Sequence, residues 1–87
     1  DPYIIDSIGW AHYLINDFTT AEEFLKRAVE LMPLDPTVND HYGDILWKLD
    51  RKIQARYFWK SVLNLSATDD EMKKKIAKKL IIGLKNS

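Results

Sequence analysis

The stretch HYGDILWKLDRKIQARYFW, residues 41–59, is crowded with large side chains, yet it keeps a glycine, Gly43, and twelve positions later a small alanine, Ala55. The same pair stands at the same separation earlier in the chain, as Gly9 and Ala21. With Asp1 set on Asp35, DPYIIDSIGWAHYLINDFTTAEEFLKRAVEL (1–31) lies over DPTVNDHYGDILWKLDRKIQARYFWKSVLNL (35–65) without a gap. Identical residues are Asp1/Asp35, Pro2/Pro36, Asp6/Asp40, Gly9/Gly43, Ala21/Ala55, Phe24/Phe58, Lys26/Lys60 and Leu31/Leu65. A third phase begins at Asp69, one further period along the chain. A fixed period of this length marks a repeat architecture in which each unit is one supersecondary element stacked on the next.

Each unit reads as a helical hairpin. Asp1-Pro2 and Asp35-Pro36 supply an N-cap oxygen and a proline at the first helical position, where its missing N–H costs nothing. Apolar periodicity follows through Ile5, Ile8, Ala11, His12 and Ile15, predicting first helices over about residues 3–15 and 37–49. Asp17 with Thr19 and Thr20 opens a second helix whose Glu22 and Glu23 favour its positive end, and which stops near Met32-Pro33; its counterpart covers about 52–65. Antiparallel helices approach closely only where side chains are small, so Gly9 is expected to face Ala21 and Gly43 to face Ala55, with Tyr42, Phe58 and Trp59 filling the space around. Residues 68–85 predict one more helix. Thr68-Asp69-Asp70-Glu71 has the form of a capping box, Met72, Ile76, Leu80 and Leu84 make an apolar stripe with Ala77 and Ile81 beside it, and six lysines clothe the rest.

With 87 residues the chain is expected to form one all-α domain: a repeat over 1–34, a second over 35–68 and a capping helix over 69–87. Apolar residues make up 46% and charged residues 30%, a folded rather than a disordered composition. The absence of cysteine excludes disulfides, thiolate metal sites and cysteine nucleophiles. No apolar run reaches the roughly 18 residues that a membrane-spanning helix needs. The chain begins Asp1-Pro2, which reads as the start of an excised segment of a longer protein. Net charge is zero but segregated: residues 1–70 hold seven Lys or Arg against twelve Asp or Glu, and residues 71–87 hold six Lys against Glu71.

The period, the small residues and the caps resemble the tetratricopeptide repeat, whose pattern is W-x2-L-G-x2-Y, then A-x3-F, then P. The first unit follows it at Ile5, Ile8, Gly9, His12, Ala21, Leu25, Ala28 and Pro33, and the second at Tyr42, Gly43, Leu46, Ala55 and Trp59. Asn39, Val62 and Ala67 depart from it. The segments DSIGWAHY, NDHYGDILW and ARYFWKSVL are similar to the last repeats of longer bacterial tetratricopeptide proteins. The resemblance implies a right-handed α-solenoid fragment that acts as a scaffold, taking a protein or peptide partner in a concave groove lined by the first helices. It places Tyr3, Asp6, Trp10 and Tyr13, then Thr37, Asp40, Asp44 and Trp47, then Glu71, Lys74, Lys78 and Ile81 along that groove.

Of these, Tyr3, Asp6, Trp10, Tyr13, Asp40, Asp44 and Trp47 form the candidate ligand-binding set. Carboxylates beside aromatic faces suit a Lys or Arg of a basic partner segment, through charge-assisted bonds and cation–π contact. Two other readings stand beside it: Lys74 and Lys78, one period after Asp40 and Asp44, pair with them internally, or preceding repeats cover the tryptophans. An architectural or oligomerisation segment without a ligand of its own is the alternative function. His41 beside Asp40 and Asp44 reads as ordinary helix surface, not a metal site. No nucleophile–base arrangement or phosphate loop is present, so neither catalysis nor a cofactor is expected. MKKKIAKKL (72–80) lacks interleaved Arg or aromatic residues; it reads as a solvated cap, with weak polyanion or membrane-surface contact a lesser reading and nucleic acid not expected as partner. The isolated domain is expected to be monomeric.

Overall fold

A computed structural model describes residues 1–85. It contains five helices: α1 (Pro2–Leu14), α2 (Phe18–Leu31), α3 (Pro36–Lys48), α4 (Lys52–Val62) and α5 (Asp70–Ile82). The described residues form no strand. The odd-numbered helices repeat the sequence period in both bounds, starting at residues 2, 36 and 70 and ending at 14, 48 and 82. Their N-caps repeat as well. The Asp1 carboxylate accepts from the backbone N–H of Tyr3, Asp35 from Val38 and Asp69 from Met72, each satisfying a donor that the first helical turn leaves without an internal partner.

The turns inside the hairpins are also copies. Asn16 and Asp50 both take positive φ, 65° and 63°, a left-handed conformation that short polar residues tolerate better than other non-glycine side chains. The residues after them close equivalent hydrogen bonds, Asp17 N to His12 O and Arg51 N to Leu46 O, both 2.9 Å. α1 packs along α2, α3 along α4, α2 against α3 and α4 against α5.

The small residues sit where the spacing placed them. A Cβ added at Gly43 would collide with the Trp59 ring and lie 3.2 Å from the Ala55 carbonyl oxygen. At Gly9 it would collide with Leu25 Cδ2 and lie 3.4 Å from the Ala21 carbonyl oxygen. Each glycine therefore opens the space into which the large residue of the facing helix is laid. Two apolar clusters result: Ala21, Leu25 and Ala28 with Val38 and Ile45, then Leu46, Trp47, Ala55, Trp59 and Val62 with Ile76. Trp59, Leu25 and Ile76 are fully buried, and burial of such side chains stabilises by about 1.5 to 3 kcal/mol each.

Three local expectations are corrected. The helix expected over 52–65 ends at Val62, and Thr68 does not cap α5; its hydroxyl donates to the Val62 carbonyl at 2.6 Å and closes the end of α4. The last helix stops at Ile82 rather than 85, because Gly83 turns the chain at φ 71° and lays its bare Cα against Trp47.

Candidate functional site

α1, α3 and α5 share a line of polar and aromatic side chains that joins each helix to the next. Between α1 and α3, Asp6 Oδ1 lies 2.9 Å from His41 Nδ1. The His41 ring stacks on Trp10 with centroids 3.8 Å apart, and Trp10 stacks on Tyr13 at 4.3 Å. At the N-terminal end of α3 the Tyr3 hydroxyl donates to Asp35 Oδ2 at 3.0 Å, so one carboxylate caps α3 and holds α1 beside it.

Between α3 and α5 the link is ionic. Lys79 Nζ donates to Asp40 Oδ1 at 2.6 Å and to Asp44 Oδ1 at 2.9 Å, and Lys75 Nζ lies 3.2 Å from Asp40 Oδ2. Asp44 also accepts from the Trp59 indole N–H at 3.0 Å, which ties the ion cluster to the core. Asp40 is 1% exposed and Asp44 6%. Burial, then the Asp40 charge, push the Asp44 carboxyl above its usual range, while Lys79 pulls it back. Burial also raises the Tyr13 phenol, to about 12, with the Asp44 and Asp40 charges adding to it.

The expectation that Asp6, Asp40 and Asp44 stand open to a basic ligand is overturned by this placement. All three are buried and partnered within the chain, Asp6 by His41, and Asp40 and Asp44 by Lys75 and Lys79 rather than by Lys74 and Lys78. Asp6 meets His41, Asp40 meets Lys75 and Asp44 meets Lys79, each partner standing one position beyond the period. Residues at the same repeat position point in parallel; the side chain that reaches back to the preceding helix is the next one round, about 100° further. Trp47 is likewise not an open groove residue. It is 7% exposed, stacks on Trp59 at 5.3 Å and carries Lys52 and Arg56 at 4.9 Å from its ring. His41 belongs to Asp6 and Trp10 rather than to Asp40 and Asp44.

What remains accessible along this face is Tyr3, 58% exposed, the part-buried Trp10 and Tyr13, Thr37, and on α5 Glu71, Lys74, Lys78 and Ile81, the last 79% exposed. Among the described residues Lys74 and Lys78 have no carboxylate partner. The face thus offers an aromatic end at α1 and a cationic end at α5, joined by an internally neutralised middle. Among the described residues no group of three or more His, Asp or Glu side chains is placed to hold a metal ion, and no helix is long and apolar enough to cross a membrane. No protein-family model matches the chain, and no curated protein or solved structure matches it significantly.

Proposed function

We propose that the chain is an interaction module of the tetratricopeptide type: two helix-turn-helix repeats and a capping helix of a right-handed α-solenoid, taking a peptide or partner helix along the face of α1, α3 and α5. The observation that carries this reading is the recurrence of one helix three times at a constant interval, with corresponding bounds and the same aspartate cap. Three equivalent helices side by side make one continuous face, the geometry in which solenoids present extended binding surfaces.

The side chains left accessible set the partner's chemistry. Trp10, Tyr13 and Tyr3 give flat apolar area at low entropic cost, and Lys74 and Lys78 give charge that no carboxylate among the described residues satisfies. A segment with an aromatic or aliphatic anchor followed by acidic residues matches this order. A basic segment would have to displace Lys75 and Lys79 from buried carboxylates first. The test is titration of matched acidic and basic peptide libraries against the wild type and Lys74→Glu/Lys78→Glu, followed by fluorescence anisotropy of dye-labelled peptides. Acidic peptides are expected to bind, more weakly as salt rises, and to lose affinity in the double variant while its circular dichroism stays unchanged. Equal binding of both libraries by both proteins would sink the reading.

The architectural reading draws on a different feature, an exposed apolar stripe on α1, and does not compete for the same face.

A further inference from the structure

α1 and its C-cap residue carry Ile4, Ile8, Ala11 and Ile15 at the 4-3-4 spacing of a helix-packing stripe, and all four are exposed: Ile4 58%, Ile8 40% and Ile15 72%, with Ala11 in the same class. The repeat shows what such a stripe is for. Its counterparts one period on, on α3 and its C-cap, are Val38, Tyr42, Ile45 and Leu49. Val38 and Ile45 are 0% exposed, and Tyr42 and Leu49 are packed against the same cluster, which α2 supplies through Ala21, Leu25 and Ala28. One period further, on α5 and just beyond its end, the counterparts are Met72, Ile76, Lys79 and Gly83. Ile76 is 0% exposed, in the cluster that α4 supplies through Trp59 and Val62. Twice, then, this stripe is covered by the helix immediately before it in the chain. On α1 the residues are as apolar as on α3 and more so than on α5, yet the described residues include nothing that covers them.

We infer that the α1 stripe is the seat of an upstream helix of the same polypeptide, one of the α2 and α4 type, so that the stacking visible between α2 and α3 continues toward the N-terminus. The occupant is an amphipathic helix with a small-and-aliphatic face like that of Ala21, Leu25 and Ala28. A second copy of the chain has no free helix face of that type to offer, because the corresponding faces of α2 and α4 are already buried against α3 and α5; two α1 stripes set against each other are the competing arrangement, which sedimentation distinguishes. The inference concerns the outer side of α1 and is independent of the groove reading.

The probe is the chain's own repeat. Residues 1–34 are duplicated directly before Asp1, so that Leu34 of the added unit meets Asp1 as it natively meets Asp35, and a copy of α2 is presented to the original α1. The duplicated protein is expected to melt at least about 5 °C above the natural chain. Ile8→Lys in the inner copy is expected to lower its melting temperature by a similar amount, and Ile8→Lys in the outer copy to leave it nearly unchanged. Equal effects at the two copies, or a duplicated chain that does not fold while the natural chain does, would overturn the inference. So would sedimentation showing that the natural chain is a dimer which Ile8→Lys converts to monomer, since the occupant would then be a second copy.

Discussion

Replacing Lys79 by methionine retains the apolar stem of the side chain, one atom shorter, and removes its charge from between two buried carboxylates. In the structure Nζ lies 2.6 Å from Asp40 and 2.9 Å from Asp44, with Lys79 itself 9% exposed. At about 3 Å, each such attraction is on the order of 5 kcal/mol with an effective dielectric constant near 20, most of it offset by the cost of desolvating the charges. Removing one member of a buried set leaves that desolvation cost uncompensated, and the usual loss is about 3 to 5 kcal/mol. A domain of this length has roughly 4 to 13 kcal/mol in total, so Lys79→Met is expected to remove a large share of the stability at pH 7 and to lower the urea midpoint accordingly. The pH dependence gives a second signature. Asp44 is already held above its usual range by burial and by Asp40, and losing Lys79 raises it further. A carboxyl whose folded pKa exceeds its unfolded one stabilises the fold at pH values below the unfolded value and loses that contribution as pH rises through the folded value. The variant should therefore regain stability as pH falls from 7 toward 4. Urea unfolding followed by circular dichroism at pH 7 and pH 5 reads both effects, and Asp44→Asn added to Lys79→Met should restore part of the loss at pH 7. A Lys79→Met protein as stable as wild type at pH 7, or one that weakens on acidification where the wild type does not, would refute the reasoning.

Gly43→Ala and Gly9→Ala should each destabilise by about 1 to 3 kcal/mol despite alanine's helix propensity, because the new Cβ meets the packed Trp59 ring at Gly43 and both the buried Leu25 side chain and Phe24 Cβ, 2.9 Å away, at Gly9; thermal melts that match the wild type would contradict the close approach. Tyr13 holds its proton to about pH 12 in the fold against about 10 when unfolded, so stability should fall as pH rises across that interval; Tyr13→Phe should flatten this part of the curve in alkaline denaturation. Deleting residues 69–87 bares Trp59 and Val62 and strips Asp40 and Asp44 of both lysines, so the product should aggregate or lose its cooperative transition; a sharp reversible melt would contradict the role given to α5.

The helical plan was legible in the sequence because each of its causes is local. Asp-Pro caps, glycines at close approaches and apolar stripes act over one or two turns, and they placed α1, α2 and α3 almost to the residue at both ends. What the spacing did not carry were facts that depend on how neighbouring helices are rotated. Lys74 and Lys78 match the period of Asp40 and Asp44, but Lys75 and Lys79 reach them. From sequence alone Asp40→Lys with Asp44→Lys would be a surface change that leaves the melting temperature alone; with both carboxylates buried it should unfold the domain. His41 was visible as a residue beside two aspartates, yet its partner is a third, Asp6, on another helix. The early end of α4 had only a weak sequence signal, Asn64, a residue type that often follows a helix end; the chain there tightens into turns, Asn64 N to Ser61 O at 3.1 Å and Leu65 N to Val62 O at 3.2 Å, and the Thr68 hydroxyl, from further along the chain, also donates to the Val62 carbonyl.

The central functional claim is that a partner lies across α1, α3 and α5, anchored at the aromatic end and drawn by the lysines at the other. Amide and indole chemical shifts, mapped by nuclear magnetic resonance while an acidic, aromatic-bearing peptide is added, test it most directly. The expected result is a continuous track of perturbed signals through Tyr3, the Trp10 indole, Thr37, Lys74 and Lys78, with the buried Trp59 indole nearly still. Perturbations confined to the exposed Ile53 and Tyr57 side of α4, or none at saturating peptide, would contradict it.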